Sequence, residues 1–385
     1  MIHREEYLQQ LEKAVNRSPV TSLLGPRQCG KTTLARIFGN EKKAHYFDLE
    51  SVTDQQRLQN PELMLGGLQG LVILDEIQQK PELFNVLRVL SDRPDNKCKY
   101  LILGSASPHI IKNTSETLAG RVEFIELSGF NLTETGEAGL SQLWMRGGFP
   151  RSYLANSEED SNAWREGFIR TFLERDIPQL GISIPSTAMR RFWTMLAHFH
   201  GQVWNASELS RSMGLSDKTV RSYLDILAGT YMVRQLQPWY ENVSKRQVKS
   251  PKIYLRDSGI LHSLLSIPDM KSLTGHPRLG ASWEGFALEQ VIVAMRPQEM
   301  YFWATHGGAE LDLFFLKDGK RWGIECKFNE APKITKSMRV ALHDLGLDYL
   351  WVIYPGKKAY PIDEKITVQP LSFACTNGEG YEVRS

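Results

Sequence analysis

"VTSLLGPRQCGKTTLARIFG", residues 20–39, joins a five-residue apolar stretch to a glycine-bounded loop and then to a helical pattern. The loop, Gly25 to Thr32, matches G-x-x-x-x-G-K-[ST] and lies between a strand and a helix, the context that gives the pattern meaning. Gly25, Pro26, Arg27, Gln28, Cys29 and Gly30 are expected to turn backbone N–H groups inward around phosphates, and the helix opened by Lys31, Thr32 and Thr33 adds its dipole. Lys31 is placed to reach β- and γ-phosphates and the Thr32 hydroxyl to ligate Mg²⁺, so ATP and Mg²⁺ are the expected cofactors.

A matching second half follows in "GLVILDEIQQ", residues 70–79. The run Leu71 to Leu74 reads as a fully buried parallel strand. Asp75 and Glu76 stand at its C-terminal end, where ligands of open α/β sheets lie. Asp75 suits a water-mediated hold on Mg²⁺, and Glu76 suits polarisation of an attacking water. A further buried strand, "KYLILGSAS", carries Ser105 and Ser107 at its end, either of which is in line for a γ-phosphate. In "SETLAGRVEFIEL" Arg121 follows a short helix; the residue fits an arginine finger offered to a neighbouring subunit, and equally a surface ion pair.

The length of 385 residues predicts two or three domains. With 42% apolar and 23% charged residues this reads as an ordinary globular chain, and no apolar run reaches the roughly 18 residues of a membrane span. Four cysteines without a C-x-x-C pair argue against a disulfide framework or zinc, and the charged N-terminal stretch has no secretory core; both predict a cytoplasmic protein. A net charge of +2 requires any nucleic-acid footprint to be local.

GPRQCGKTT, LVILDEIQ, LILGSAS, LAGRV and RGGFP (146–150), in this order, resemble a group of prokaryotic AAA-plus-type ATPases whose C-terminal domain, of unknown function, has a nuclease-like fold. The resemblance covers nearly the whole chain. It implies an α/β fold: a P-loop αβα core, residues 1–135, then a helical lid or linker, 136–185. It also implies a homo-oligomer, a ring such as a hexamer, in which Arg121 acts on a neighbour. Gly147 to Pro150 resembles the glycine–proline signature at the core–lid junction of related signalling ATPases.

Residues 186–257 read as a winged helix. "SELSRSMG", a turn, and "DKTVRSYLDILAGT" form a helix-turn-helix, with Ser207 and Ser216 as caps and Leu209, Met213, Leu215, Val220, Leu224 and Leu227 facing inward. Two strands and the connection "WYENVSKRQVKS" complete a wing. Lys218, Arg221, Lys245, Arg246, Lys249 and Lys252 concentrate positive charge on the second helix and wing, which predicts contact with DNA phosphates; a solvated packing face is the plainer alternative.

Residues 258–385 run helix, three strands, helix, strand, and "LDLFFLKDGKRWGIECKF" (311–328) carries acids in its strands. Alternation sets Leu311 and Leu313 on one face and Asp312 on the other, with Glu325 and Lys327 sharing a face of the next strand. Carboxylates meeting there would repel unless a divalent cation lay between them. The pattern resembles the PD-(D/E)xK nuclease fold. Carried over, that resemblance assigns Glu284, Asp312 and Glu325 as metal ligands and Asp312, Glu325 and Lys327 as catalytic, with Glu289 the competing helix acid. Phe328 departs from the pattern, since a small hydroxyl residue is expected after the lysine. The whole predicts an ATPase that binds and remodels DNA, with Mg²⁺-dependent cleavage as a second activity. An ATP-gated switch acting on a protein partner and a winged-helix transcription regulator are the alternatives.

Overall fold

The computed structural model describes residues 2–104, 114, 116–240 and 248–376. The chain forms two compact units, Met1–Gly129 with Gly229–Tyr231, and Phe130–Ala228 with Met232–Ser385.

The first unit is built on five parallel strands, β1 (Val20–Leu24), β2 (His45–Asp48), β3 (Gly70–Asp75), β4 (Cys98–Leu103) and β5 (Val122–Glu126), in the order β2-β3-β4-β1-β5. Parity along the strands separates two cores. Val20, Leu24, Val72, Leu74, Tyr100 and Ile102 pack against Leu83, Leu87 and Leu90 of the helix Leu83–Asp92. Leu23, Leu71, Ile73, Leu101 and Leu103 pack on the other face against Leu34 and Phe38 of the helix Lys31–Glu41 and Leu11 of the helix Glu5–Arg17. Both faces of the central strands β1, β3 and β4 are covered, so these are buried almost throughout, whereas the edge strands β2 and β5 are only partly buried.

The second unit holds a nine-stranded mixed sheet: β6 (Gln202–Val203), β7 (Val233–Pro238), β8 (Lys252–Leu255), β9 (Met300–Ala304), β10 (Glu310–Lys317), β11 (Lys320–Cys326), β12 (Tyr349–Tyr354), β13 (Tyr360–Pro361) and β14 (Ile366–Pro370). Its order is β13-β14-β12-β11-β10-β9-β7-β8-β6. The helices Ser186–His198, Ala206–Met213 and Asp217–Gly229 with β6, β7 and β8 have the winged-helix arrangement. The expected boundary at 257/258 does not divide the sheet, because β7 pairs in parallel with β9 through Gln237–Tyr301 and Pro238–Phe302. An edge strand leaves backbone N–H and C=O groups unpaired, and β9 satisfies those of β7. In the helix-turn-helix, Asn205 rather than Ser207 caps the first helix, through Glu208 N–H at 3.3 Å; Ser216 caps the second, through Thr219 N–H at 3.1 Å. Gly214, at φ 70, makes the left-handed turn between them.

Two glycines explain the RGGFP segment. Gly147 has φ 76 and lies against Asp257, while the Gly148 N–H donates to Asp257 Oδ2 at 2.8 Å. Asp257 also caps the helix Ser258–Leu264 through Ile260 N–H at 2.8 Å. The segment thus clasps a helix start inside the second unit.

Candidate nucleotide site and acidic cluster

Strand β1 stops at Leu24 and the helix Lys31–Glu41 starts after the six-residue loop. A side-chain carbon at Gly25 would stand 2.2 Å from the Leu127 carbonyl oxygen, so the loop lies on the backbone beyond β5 only because Gly25 has none. Gln28 and Gly30 take left-handed backbone, φ 64 and 101, and Gly30 leaves the helix without a side-chain cap. Its first N–H groups therefore remain for an anion. Cys29 is buried and Thr33 exposed; Thr32 lies in the first helical turn. The Arg27 guanidinium lies 4.0 Å from Glu50.

Lys31 is buried, and its ammonium donates to the carbonyls of Gly25 at 2.9 Å and Pro26 at 2.8 Å. A buried ammonium held by carbonyls beside an uncapped helix end fits a phosphate ligand. Asp75 is buried at the end of β3; Tyr46 of the neighbouring β2 donates its hydroxyl to Oδ2, and the Glu76 N–H donates to Oδ1 at 3.0 Å. Glu76 has left-handed backbone, φ 57, and its carboxylate accepts from Gln78 Nε2. Burial pushes the Glu76 carboxyl above its usual range against the pull of Gln78 and Lys31, which suits a group that must take up a proton. Nucleotide-bound Mg²⁺ would be held by Thr32 and Asp75 and would offset phosphate charge.

Ser105 and Ser107 lie outside the described residues. Arg121 donates from Nε and Nη2 to both carboxylate oxygens of Asp92, at 2.7 and 2.8 Å, and from Nη1 to Ala119 O at 2.8 Å. The ion-pair alternative describes it as it stands, and a role as a finger requires that fork to leave Asp92.

In the second unit a bulge shifts the β9–β10 register between Leu311 and Phe314, placing Asp312 at an irregular position. Strict alternation therefore fails there: Leu311 shares a core cluster with Phe314, not with Leu313. Asp312 Oδ2 accepts from the Cys326 N–H of β11 at 2.9 Å. Glu325 pairs with Lys327 at 2.6 Å. Glu284, on the helix Leu279–Met295, accepts from the Tyr254 hydroxyl at 2.6 Å. The competing acid, Glu289, is bound by Arg234 (Nη2 to Oε2, 2.9 Å) and Arg256 (3.4 Å). Burial alone would raise its pKa, yet the two guanidiniums hold it below the usual range. Glu289 is therefore a structural anion.

The centre of the acidic group is Lys252. Its ammonium, expected on the wing surface, is buried, 3.3 Å from Asp312, 3.7 Å from Glu284 and 3.8 Å from Glu310. Burial would discharge the amine, but the carboxylates of Asp312, Glu284 and Glu310 outweigh it and hold the pKa above that of free lysine. Among the described residues no group of three or more His, Cys, Asp or Glu side chains is placed to hold a metal ion. The assignment of Glu284, Asp312 and Glu325 as a metal-ligand set thus meets a protein cation where the metal was expected, and the residues present do not fit the ion. Phe328, the departure from the nuclease pattern, packs against Trp144 and Trp283 with ring centres 5.4 and 5.9 Å apart.

Of the basic residues expected at DNA, Lys218 and Arg221 are exposed one turn apart on the helix Asp217–Gly229, and Lys249 is exposed ahead of β8. Lys245 and Arg246 lie outside the described residues.

The chain is 49% identical over 383 residues to the uncharacterized proteins Rv2008c of Mycobacterium tuberculosis and Mb2031c of Mycobacterium bovis, spanning all of this chain and 87% of each relative. An AAA domain family matches residues 17–136, over the loop and acidic strand just described. The chain belongs to the prokaryotic AAA-type P-loop ATPases, in one family with these mycobacterial proteins. Two domains of unknown function, DUF8612 and DUF4143, match residues 137–271 and 279–374 of this ATPase. The Walker-type ATPase paby2304 of Pyrococcus abyssi has a similar fold, with TM-score 0.50 and 16% identity over 69% of this chain and 96% of its own. Among the described residues no helix is long and apolar enough to cross a membrane.

Sequence reasoning passed over Tyr46, Gln78 and Tyr254, whose polar groups hold Asp75, Glu76 and Glu284. The only local signal was Gln78, two residues beyond Glu76; the tyrosines reach their acids across 29 and 30 positions.

Proposed function

We propose that this ATPase couples ATP turnover to engagement of duplex DNA through the helix Asp217–Gly229 and its wing. The observation that carries the reading is Lys218 and Arg221, exposed one turn apart on the second helix of the helix-turn-helix with no salt bridge among the described residues. Lys249, exposed ahead of β8, extends the same charge toward the wing. Such a face neutralises phosphates without reading bases, so affinity should depend steeply on salt and little on sequence.

In the nucleotide site Lys31 binds the β- and γ-phosphates, Thr32 and Asp75 position Mg²⁺, and Glu76, held by Gln78, orients the attacking water. Arg121 supplies charge to a neighbour's nucleotide in an oligomer once freed from Asp92. The test measures phosphate release and fluorescence anisotropy with labelled duplex, single-stranded and branched DNA across a salt series. Binding to duplex DNA with altered turnover supports the reading. Absence of binding together with unchanged turnover overturns it and turns attention to a protein partner.

A further inference from the structure

Lys252 lies on β8, which returns from the wing, yet its ammonium is buried among acids from two other elements. It stands 3.3 Å from Asp312 Oδ1 and 3.7 Å from Glu284 Oε1, and the exposed carboxylate of Glu310 closes a third side at 3.8 Å. Several of the oxygens a hard cation would need are already engaged. Asp312 Oδ2 accepts from Cys326 N–H, Glu284 Oε1 accepts from Tyr254 and Glu325 Oε1 is paired with Lys327. Glu325 Oε2 is buried and has no hydrogen-bond partner. Lys252 already holds the position between Asp312 and Glu284, and a second cation beside it would be repelled. Lys252 and Tyr254 are two residues apart on one strand, so a single face of β8 serves both Asp312 and Glu284. Removing either partner from such a buried pair leaves the other charge unmatched.

We propose that Lys252 is the resident cation of this cluster, standing where a divalent metal stands in nucleases of this pattern, so that the C-terminal domain holds no metal there and does not cut DNA. The ammonium fixes the wing-bearing strand to the acid-bearing strand and helix. The position after Lys327 agrees with that role, since Phe328 serves the aromatic packing around Trp144 and Trp283.

The full-length chain without nucleotide is titrated with Mn²⁺ and bound metal counted by electron paramagnetic resonance, for wild type, Asp312→Asn, Lys252→Ala and the double variant, each checked for folding by its tryptophan fluorescence melt. Wild type and Asp312→Asn should bind the same number of ions. Folded Lys252→Ala should gain one Mn²⁺ per chain, lost again in the double variant. If Lys252→Ala does not fold, the comparison of wild type with Asp312→Asn decides alone. A Mn²⁺ ion in wild type that disappears in Asp312→Asn, or no gain in folded Lys252→Ala, overturns the proposal. Cleavage of branched or duplex DNA with Mn²⁺ that is lost in both Asp312→Asn and Lys327→Ala overturns it as well.

Discussion

Gly147 stands so close to Asp257 that a side-chain carbon at position 147 would lie 2.1 Å from Oδ1. The same carboxylate accepts from the Gly148 N–H at 2.8 Å and caps the helix Ser258–Leu264. A methyl group at 147 would push the acid from both duties and strain a left-handed backbone at φ 76. Gly147→Ala should therefore cost roughly 2–4 kcal/mol. All nine tryptophans fall between Trp144 and Trp351, within the second unit, so their fluorescence in a urea series reads that unit alone. An unchanged midpoint would refute the clasp.

In the nucleotide site Lys31→Ala should abolish nucleotide binding and turnover together, because no other described ammonium caps the loop. Glu76→Gln should keep nucleotide binding but lower turnover by about 100-fold or more. Gln78→Ala, which releases the Glu76 carboxylate, should fall between wild type and Glu76→Gln. Phosphate release measured beside binding of a fluorescent ATP analogue separates the three. Full turnover in Glu76→Gln would place the catalytic base elsewhere.

On the proposed DNA face, Lys218→Glu and Arg221→Glu should each weaken duplex binding about tenfold at moderate salt, uniformly across sequences. Each should also reduce the slope of log affinity against log salt by about 1. Anisotropy titrations on two unrelated duplexes check both statements. A loss confined to one sequence would instead indicate base reading.

His262 reports on the second unit through pH. Its ring is buried between Met145 O at 3.0 Å and Ser282 Oγ at 2.8 Å, and burial depresses its pKa from 6.5 to about 4. A depressed histidine stays neutral when folded while the unfolded chain takes up the proton. Its contribution is therefore complete above pH 6.5 and is lost as pH falls toward 4. The stability difference between wild type and His262→Gln should shrink over that window by about 3 kcal/mol, at about 1.4 kcal/mol per pKa unit. Comparing the two proteins cancels Glu284 and Glu325, whose carboxyls burial and Asp312 push upward and which act in the opposite direction. A difference independent of pH would mean that the ring takes up its proton alike in the folded and unfolded chains.

Local order supplied much of what was legible. The loop from Gly25 to Thr32, the buried strand ending in Asp75 and the helix-turn-helix around Gly214 each depend on residues within one short continuous stretch of the chain. Their spacing is imposed by strand and helix geometry, so it can be read from letters alone. The bulge at Asp312 was not legible, because nothing in "ELDLFFLK" marks a register shift. Arg121 was open between two roles, and the partner that now holds it, Asp92, lies 29 positions earlier.

The sequence by itself determined a phosphate-binding loop, an acid pair on a buried strand and a basic face on a helix-turn-helix, since each is a short-range pattern of backbone freedom, burial and charge. Tertiary structure alone decided what the acids in "LDLFFLKDGKRWGIECKF" face. Lys252 reads as one more surface charge on a wing, 60 residues before Asp312. Only the pairing of β7 with β9 brings its strand into the sheet of the acids, and burial there makes a neutralising cation obligatory. The same burial separated Glu284 from Glu289, by surrounding one with Tyr254 and Lys252 and the other with Arg234 and Arg256.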